Sequence, residues 1–264
     1  MNLIELAPPR VSGHDVSFAW TVTPESAVYE RSHFELRFPD SLDLAAVPEA
    51  IWWRVALLIL HPHWPLLRPC RVVLPVELPA GEIELWLRLT DAAVATLEAH
   101  AGGGDCERSI AIACSGPPAP LTPVAGPDGG IVTCFSGGRD STAQAAMLTE
   151  LGETPTLLTV TSPVSWSNEH DTPRRRVVRA EMARRRSLEV VEVASDVRST
   201  WSNGFAGERY AISINEVTDT FVYLAVAIAV AAARGASLVT MASEAEVQEN
   251  VKRGGMVIQS RHFM

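Results

Sequence analysis

Apolar and polar positions alternate with the period of a half-buried strand over residues 15–22 and again over 32–38. Residues 48–60, PEAIWWRVALLIL, are apolar almost throughout and long enough for a helix, with Pro48 in its first turn. Residues 71–78 and 82–89 predict two strands joined by Pro79-Ala80-Gly81, and 91–100 a short helix with Asp91 near its N-cap. This first stretch implies a small α+β domain. It carries no recognisable chemistry.

The pattern then breaks. Gly102-Gly103-Gly104 reads as a hinge, and a Pro/Gly-rich segment follows up to Gly130. Neither residue supports a helix or strand interior. Residues 108–114 between the two predict one short strand. The expected organisation is an α+β domain over 1–115, a linker over 116–130 and a second domain over 131–264.

The second domain alternates regularly. Strands are predicted at 131–135, 156–160, 188–193, 237–241 and 256–260. Helices are predicted at 140–151, at 172–186 with Thr172 as cap and Pro173 at the first position, and at 216–234 ended by Gly235. Strands alternating with helices imply βαβ units, hence a doubly wound, parallel, five-stranded α/β sheet with right-handed crossovers.

Composition narrows the field. The 264 residues are 47% hydrophobic and 20% charged, which fits a globular chain and excludes a disordered one. A net charge of −9 does not favour wrapping nucleic acid. Lys252 is the only lysine; the other 21 basic residues are arginines, a usage that, with abundant alanine, points to a bacterium with a GC-rich genome. No lysine is placed for a G-x-x-x-x-G-K-[ST] loop. The most apolar stretch, 220–233, is shorter than the roughly 20 residues that span a bilayer. The N-terminus has no secretory signal pattern. Four cysteines without a C-x-x-C spacing suit reduced thiols in the cytoplasm.

The informative segment is the apolar strand Ile131-Val132-Thr133-Cys134-Phe135, followed by Ser136-Gly137-Gly138-Arg139-Asp140-Ser141-Thr142 and a helix. Two glycines let backbone approach a ligand closely. Loop amides and a helix N-terminus converging on one point make an anion site. Ser136 and Ser141 add hydroxyl donors. Asp140 suits such a place when a cation is also bound, because a carboxylate beside phosphates is how Mg²⁺ is ordinarily held. The plainer alternative is a Gly-rich turn whose Ser and Asp merely cap a helix.

Ser136-Gly-Gly-Arg-Asp-Ser141 resembles the SGGxDS pyrophosphate loop of the PP-loop ATP pyrophosphatases, which share the adenine-nucleotide α-hydrolase-like (HUP) fold. That superfamily includes asparagine synthetase, 7-cyano-7-deazaguanine synthase and tRNA-thiolating enzymes. The resemblance covers residues 130–264 and does not choose a member. It implies ATP and Mg²⁺ as ligands: Ser136, Gly137, Gly138, Arg139, Ser141 and Thr142 around the phosphates, Asp140 on the metal, and Asp140 and Ser141 in catalysis. By topology it implies Thr161, at the end of the second strand, near adenosine, and Ser243, after the fourth, near ribose or substrate. The activity implied is adenylation of a substrate oxygen with release of pyrophosphate, followed by displacement of AMP by a nitrogen nucleophile. A nucleotide-binding module without turnover, or a sulfur-transferring enzyme, are the alternatives. Family members usually continue beyond the equivalent of Met264, so a further C-terminal segment is expected.

Other signals have bland readings beside them. Arg174, Arg175, Arg176, Arg179, Arg184, Arg185 and Arg186 fall on one predicted helix. They suit phosphate, nucleic acid or a carrier, with Arg174–Arg176 nearest the strand ends, but a solvated helix face is favoured. Cys134 reads as a core residue and not a nucleophile. His61 and His63 read as a helix-ending turn and not a metal site. Arg209, Tyr210, Asn215 and Glu216 could contact substrate, or Asn215 could cap the long helix. A small-molecule acceptor, no membrane and a homo-oligomer are expected.

Overall fold

The computed structural model describes residues 1–100, 110–119, 129–162, 173–201, 214–242, 249–253 and 256–260. In the first half these form β1 (Asn2–Leu6), β2 (Arg10–Ser12), β3 (Asp15–Thr23), β4 (His33–Arg37), α1 (Glu49–Leu60), β5 (Cys70–Leu74), α2 (Ala80–His100) and β6 (Ile110–Cys114). Alternation works as expected in β3 and β4. Val16, Phe18 and Trp20 point inward from one strand, Phe34 and Leu36 from the other. The directly opposed pair Phe18 and Phe34 stacks with ring centroids 4.7 Å apart. Every residue of α1 from Ala50 to Leu60 is buried, as a helix apolar on all sides requires. Pro48 stands at its N-cap, one position before the first turn.

The strand expected at 82–89 is helix instead, part of α2. Trp86, Thr90, Ala93 and Val94 recur at helical spacing and are buried, whereas Leu85 is about half exposed. That outward leucine produced the false alternation. Glu82 helps hold the helix: it takes an ion pair from the buried Arg54 of α1 at 2.5 Å and a hydrogen bond from Trp86 Nε1.

In the second half come β7 (Ile131–Cys134), α3 (Arg139–Glu150), β8 (Thr156–Thr161), α4 (Pro173–Arg186), β9 (Val190–Ser195), α5 (Ile214–Arg234) and β10 (Leu238–Met241). These four strands are parallel, in the order β10-β7-β8-β9. The fifth strand expected there, β12 (Met256–Ser260), pairs antiparallel with β11 (Glu249–Arg253) in a separate two-stranded sheet. The parallel part therefore has four described strands, not five.

Helices cover both faces of the sheet. Phe135, Ala145, Leu157 and Leu188 make a small core under α3 and α4. On the other face Val132, Cys134, Leu158, Val191 and Val193 pack with Val222, Val226 and Val230 of α5.

The two halves share one mixed sheet. Its order continues β9-β4-β3-β1-β5-β6, with β2 beside β3. The seam is antiparallel, Leu36 opposite Ser195 and Arg37 opposite Ala194. Asp196 reinforces it by accepting from the Glu35 amide at 2.6 Å and from Arg31 at 3.1 Å. α1 also packs on α5, so the main hydrophobic core draws residues from both halves. The expected linker falls largely at 120–128, outside the described residues. Because the main core is shared between the halves, one cooperative calorimetric transition is expected on heating. Two resolved transitions would show that the halves fold separately.

Candidate nucleotide site

The strand order reverses at β7. From β7 the chain moves to β8 and β9 on one side, then returns through α5 to β10 on the other side. In open α/β sheets ligands bind outside the carboxyl ends of the strands at such a reversal. The segment from Phe135 to Arg139 occupies that position.

The local geometry follows from the residues. The Phe135 amide donates to the Leu158 carbonyl at 2.7 Å, and Thr159 Oγ1 donates back to the Phe135 carbonyl at 2.6 Å. The start of the loop is thus bolted to β8. Gly137 then takes φ +76°, and a Cβ there would lie 2.8 Å from the Arg175 carbonyl oxygen of α4. Only glycine meets both conditions. Gly138 is the N-cap of α3 and provides no side-chain cap. The Gly138 amide donates to Ser136 Oγ at 3.3 Å, and the Ser136 and Ser141 hydroxyls lie 3.3 Å apart. Both hydroxyls therefore face the same turn. Asp140 and Arg139 are exposed in the first turn of α3. Thr142 Oγ1 donates to the Gly138 carbonyl at 2.7 Å, so it closes the turn.

Thr161 is half-buried at the carboxyl end of β8, on the same rim. Ser243, Thr172, Arg209 and Tyr210 lie outside the described residues. Asn215 falls inside α5, which begins at Ile214, and not at its N-cap.

The arginines of α4 separate into two groups. Arg184 and Arg185 both bond Glu181, at 2.8 and 2.6 Å, and their hydrogen bonds hold its carboxyl down to about 2. Arg186 pairs with Glu150 at 2.7 Å. Arg179 is buried, with Nη2 3.6 Å from Glu192 of β9. Arg174 and Arg176 are exposed and Arg175 is half-buried beside the loop. The first turn of this helix thus faces the candidate site, and Arg179 of the next turn also packs there, its Cγ 3.3 Å from a Cβ placed on Gly137.

A second group at the same rim was not legible in the sequence. Arg198, in a short 3₁₀ turn after β9, grips Asp219 of α5 through Nε at 3.1 Å and Nη2 at 2.5 Å. Tyr223 lies one helical turn beyond Asp219. Burial first, then the Asp219 carboxylate, pushes its phenol pKa up, against opposing effects of Arg198 and Arg175. The hydroxyl thus stays a proton donor at neutral pH. The Cys134 thiol donates to the Tyr223 carbonyl at 3.9 Å, tying this turn of α5 to the end of β7. These residues are distant in sequence and belong to no local pattern.

Burial pushes the Cys134 thiol up to about 12, which leaves it an inert core group. His61 and His63 are fully buried among Trp64, Trp86, Trp201, Phe221 and Tyr29. Among the described residues no group of three or more His, Cys, Asp or Glu could hold a metal, and no helix is long and apolar enough to cross a membrane.

No protein-family model, curated protein or solved structure matches the chain.

Proposed function

We propose that the chain binds ATP and Mg²⁺ at Ser136–Ser141 and adenylates an oxygen of a small-molecule substrate, releasing pyrophosphate. The observation that carries this reading is the position of Ser-Gly-Gly-Arg-Asp-Ser, at the carboxyl end of β7 where the strand order reverses. Counted from β7, the order β9-β8-β7-β10 is 3-2-1-4, the core of a doubly wound nucleotide-binding sheet. This supports an HUP-type domain.

The residues fit the ligands. Gly137 lets the loop close against α4, which a side chain there would prevent. No cap side chain competes for the first-turn amides of α3. Asp140 is a single exposed carboxylate, and Mg²⁺ typically takes one or two carboxylates and completes its shell with phosphate oxygens and water. When bound, the metal supplies positive charge against the departing pyrophosphate.

The chain's own groups do the rest. Loop amides and the Ser136 and Ser141 hydroxyls donate to phosphate oxygens, in a place fixed before the ligand arrives. The helix end of α3 favours negative charge at the same point. A loop without lysine holds pyrophosphate as a leaving group and does not track a γ-phosphate in transfer. Attack then falls at the α-phosphorus, and a nitrogen nucleophile displaces AMP in a second step. The buried Cys134 thiol gives no support to the sulfur-transferring alternative.

Asp140→Ala tests the metal role. MgATP affinity should fall at least tenfold, about 1.4 kcal/mol, in a calorimetric titration. Equal MgATP affinity in both proteins would overturn that role. Tight MgATP binding with no turnover of any acceptor would favour a binding module.

A further inference from the structure

The ladder between β7 and β8 ends with Cys134 opposite Leu158. One residue later the Phe135 amide still reaches the Leu158 carbonyl, at 2.7 Å, but the Phe135 carbonyl is taken by a side chain, Thr159 Oγ1, at 2.6 Å. Thr159 itself pairs on its other side, opposite Glu192 of β9. A hydroxyl thus bridges β8 to the chain just beyond the last pair of the β7 ladder. It is firmly held: Thr159 is buried, and a β-branched side chain has few rotamers. The Phe135 ring is packed in turn with Ala145, Leu157 and Leu188.

In a planar trans peptide the carbonyl and the next N–H point in opposite directions. The Phe135 carbonyl points to β8, so the Ser136 N–H points to the side of β7 where β10 lies. The ladder between β7 and β10 ends at Cys134 opposite Met241, before Ser136 is reached. The Ser136 amide is therefore turned toward the crevice between β7 and β10, where the strand order reverses.

We infer that the Thr159 hydroxyl sets the loop's grip on phosphate: by fixing the Phe135–Ser136 peptide it aims the Ser136 N–H at the β- and γ-phosphates. The identity of the ligand rests on the ATP reading above. Thr159 is a positioning residue that acts through this one peptide. Without its hydroxyl the Phe135 carbonyl becomes a buried acceptor with no donor, a costly state. Rotation of the peptide finds the carbonyl a new partner and carries the Ser136 N–H out of the crevice. Donors that must be re-aimed when the ligand arrives stabilise its charge less well than donors already in place.

Two variants separate the hydroxyl from the packing. Thr159→Val keeps the branched shape and removes the donor. Thr159→Ser keeps the donor and removes a methyl group. Calorimetric titrations of the full chain use MgATP and, separately, inorganic pyrophosphate with Mg²⁺. Thr159→Val should bind both at least tenfold more weakly, and Thr159→Ser should stay within twofold of wild type. A merely structural role would lower the Tm of the variants and leave the affinities alone, which would overturn the proposal. So would a Thr159→Ser protein that binds as weakly as Thr159→Val. Should Thr159→Val fold poorly, Thr159→Ala also lacks the donor and should show the same loss. The amide ¹⁵N–¹H spectrum of the ligand-free chain separates this inference from the ATP reading. Thr159→Val should displace the Ser136 resonance and Thr159→Ser should restore it. If wild type binds neither MgATP nor pyrophosphate, the ATP reading fails, and a displaced Ser136 resonance would still uphold the positioning role. An unmoved Ser136 resonance in Thr159→Val would overturn that role whatever the ligand.

Discussion

Gly137→Ala should lower MgATP affinity at least a hundredfold and destabilise the fold. Two effects add. At φ +76° any side chain is strained, by about 1–2 kcal/mol. The new Cβ would also stand 2.8 Å from the Arg175 carbonyl oxygen, a backbone atom of α4 that cannot rotate away. The loop must move, and its amides move with it. A displacement of about 1 Å at such a site can cost a hundredfold. Gly152→Ala is the control. Gly152 also has positive φ, +88°, but nothing lies within 4 Å of its Cβ position. That variant should lose stability alone and bind MgATP normally. Thermal denaturation and calorimetric titration of both variants decide the matter; equal binding by the two would show that the loop's approach to α4 is not what organises the site.

Mild acid should weaken the fold well before its carboxylates titrate. Burial lowers His61 to about 4 and His63 to about 3, from 6.5. A base with a lowered folded pKa stabilises the fold fully above its unfolded pKa. That stability drains away as pH falls below 6.5, at about 1.4 kcal/mol per pH unit for each histidine, until the folded pKa is reached. At pH 5 the two together have lost about 4 kcal/mol relative to neutral pH. Against a typical total of about 5–15 kcal/mol this is a large part. The carboxyls held low, Asp15 and Glu181, start from 3.8 and 4.5, so most of their loss comes below pH 5. Urea midpoints at pH 7.5 and 5.0 measure the difference. His63→Phe, placed between the rings of Trp201 and Tyr29, should roughly halve it. An unchanged difference in that variant would assign the acid sensitivity to other groups.

The strand, loop and helix around Ser136–Ser141 were legible because they are local. Strand, Ser-Gly-Gly-x-Asp-Ser and helix lie within twenty consecutive residues, and their order alone places a donor-rich turn at a strand end. The same holds for β3, β4, β8, β9 and the long helix α5, whose periodicities are clean. Other features depend on partners far along the chain. β1 is five residues long, and its place between β3 and β5 is set by pairing at both edges. The seam from β4 to β9 joins residues about 160 apart, and nothing near Leu36 signals Ser195. The alternation in 82–89 was overruled by tertiary burial of Trp86 and by Arg54 reaching Glu82. The Arg198–Asp219–Tyr223 group exists only because the turn after β9 folds against α5.

The bond cleaved in ATP is the central claim, and α-labelled ATP reports it directly. The full-length protein is incubated with Mg²⁺, labelled ATP and a panel of acceptors, and the products are separated by chromatography. Labelled AMP, with pyrophosphate in equal amount, is the expected product, and it should be lost in Gly137→Ala. Labelled ADP with orthophosphate in every productive mixture would contradict the account, as would ATP that binds and is returned intact with every acceptor.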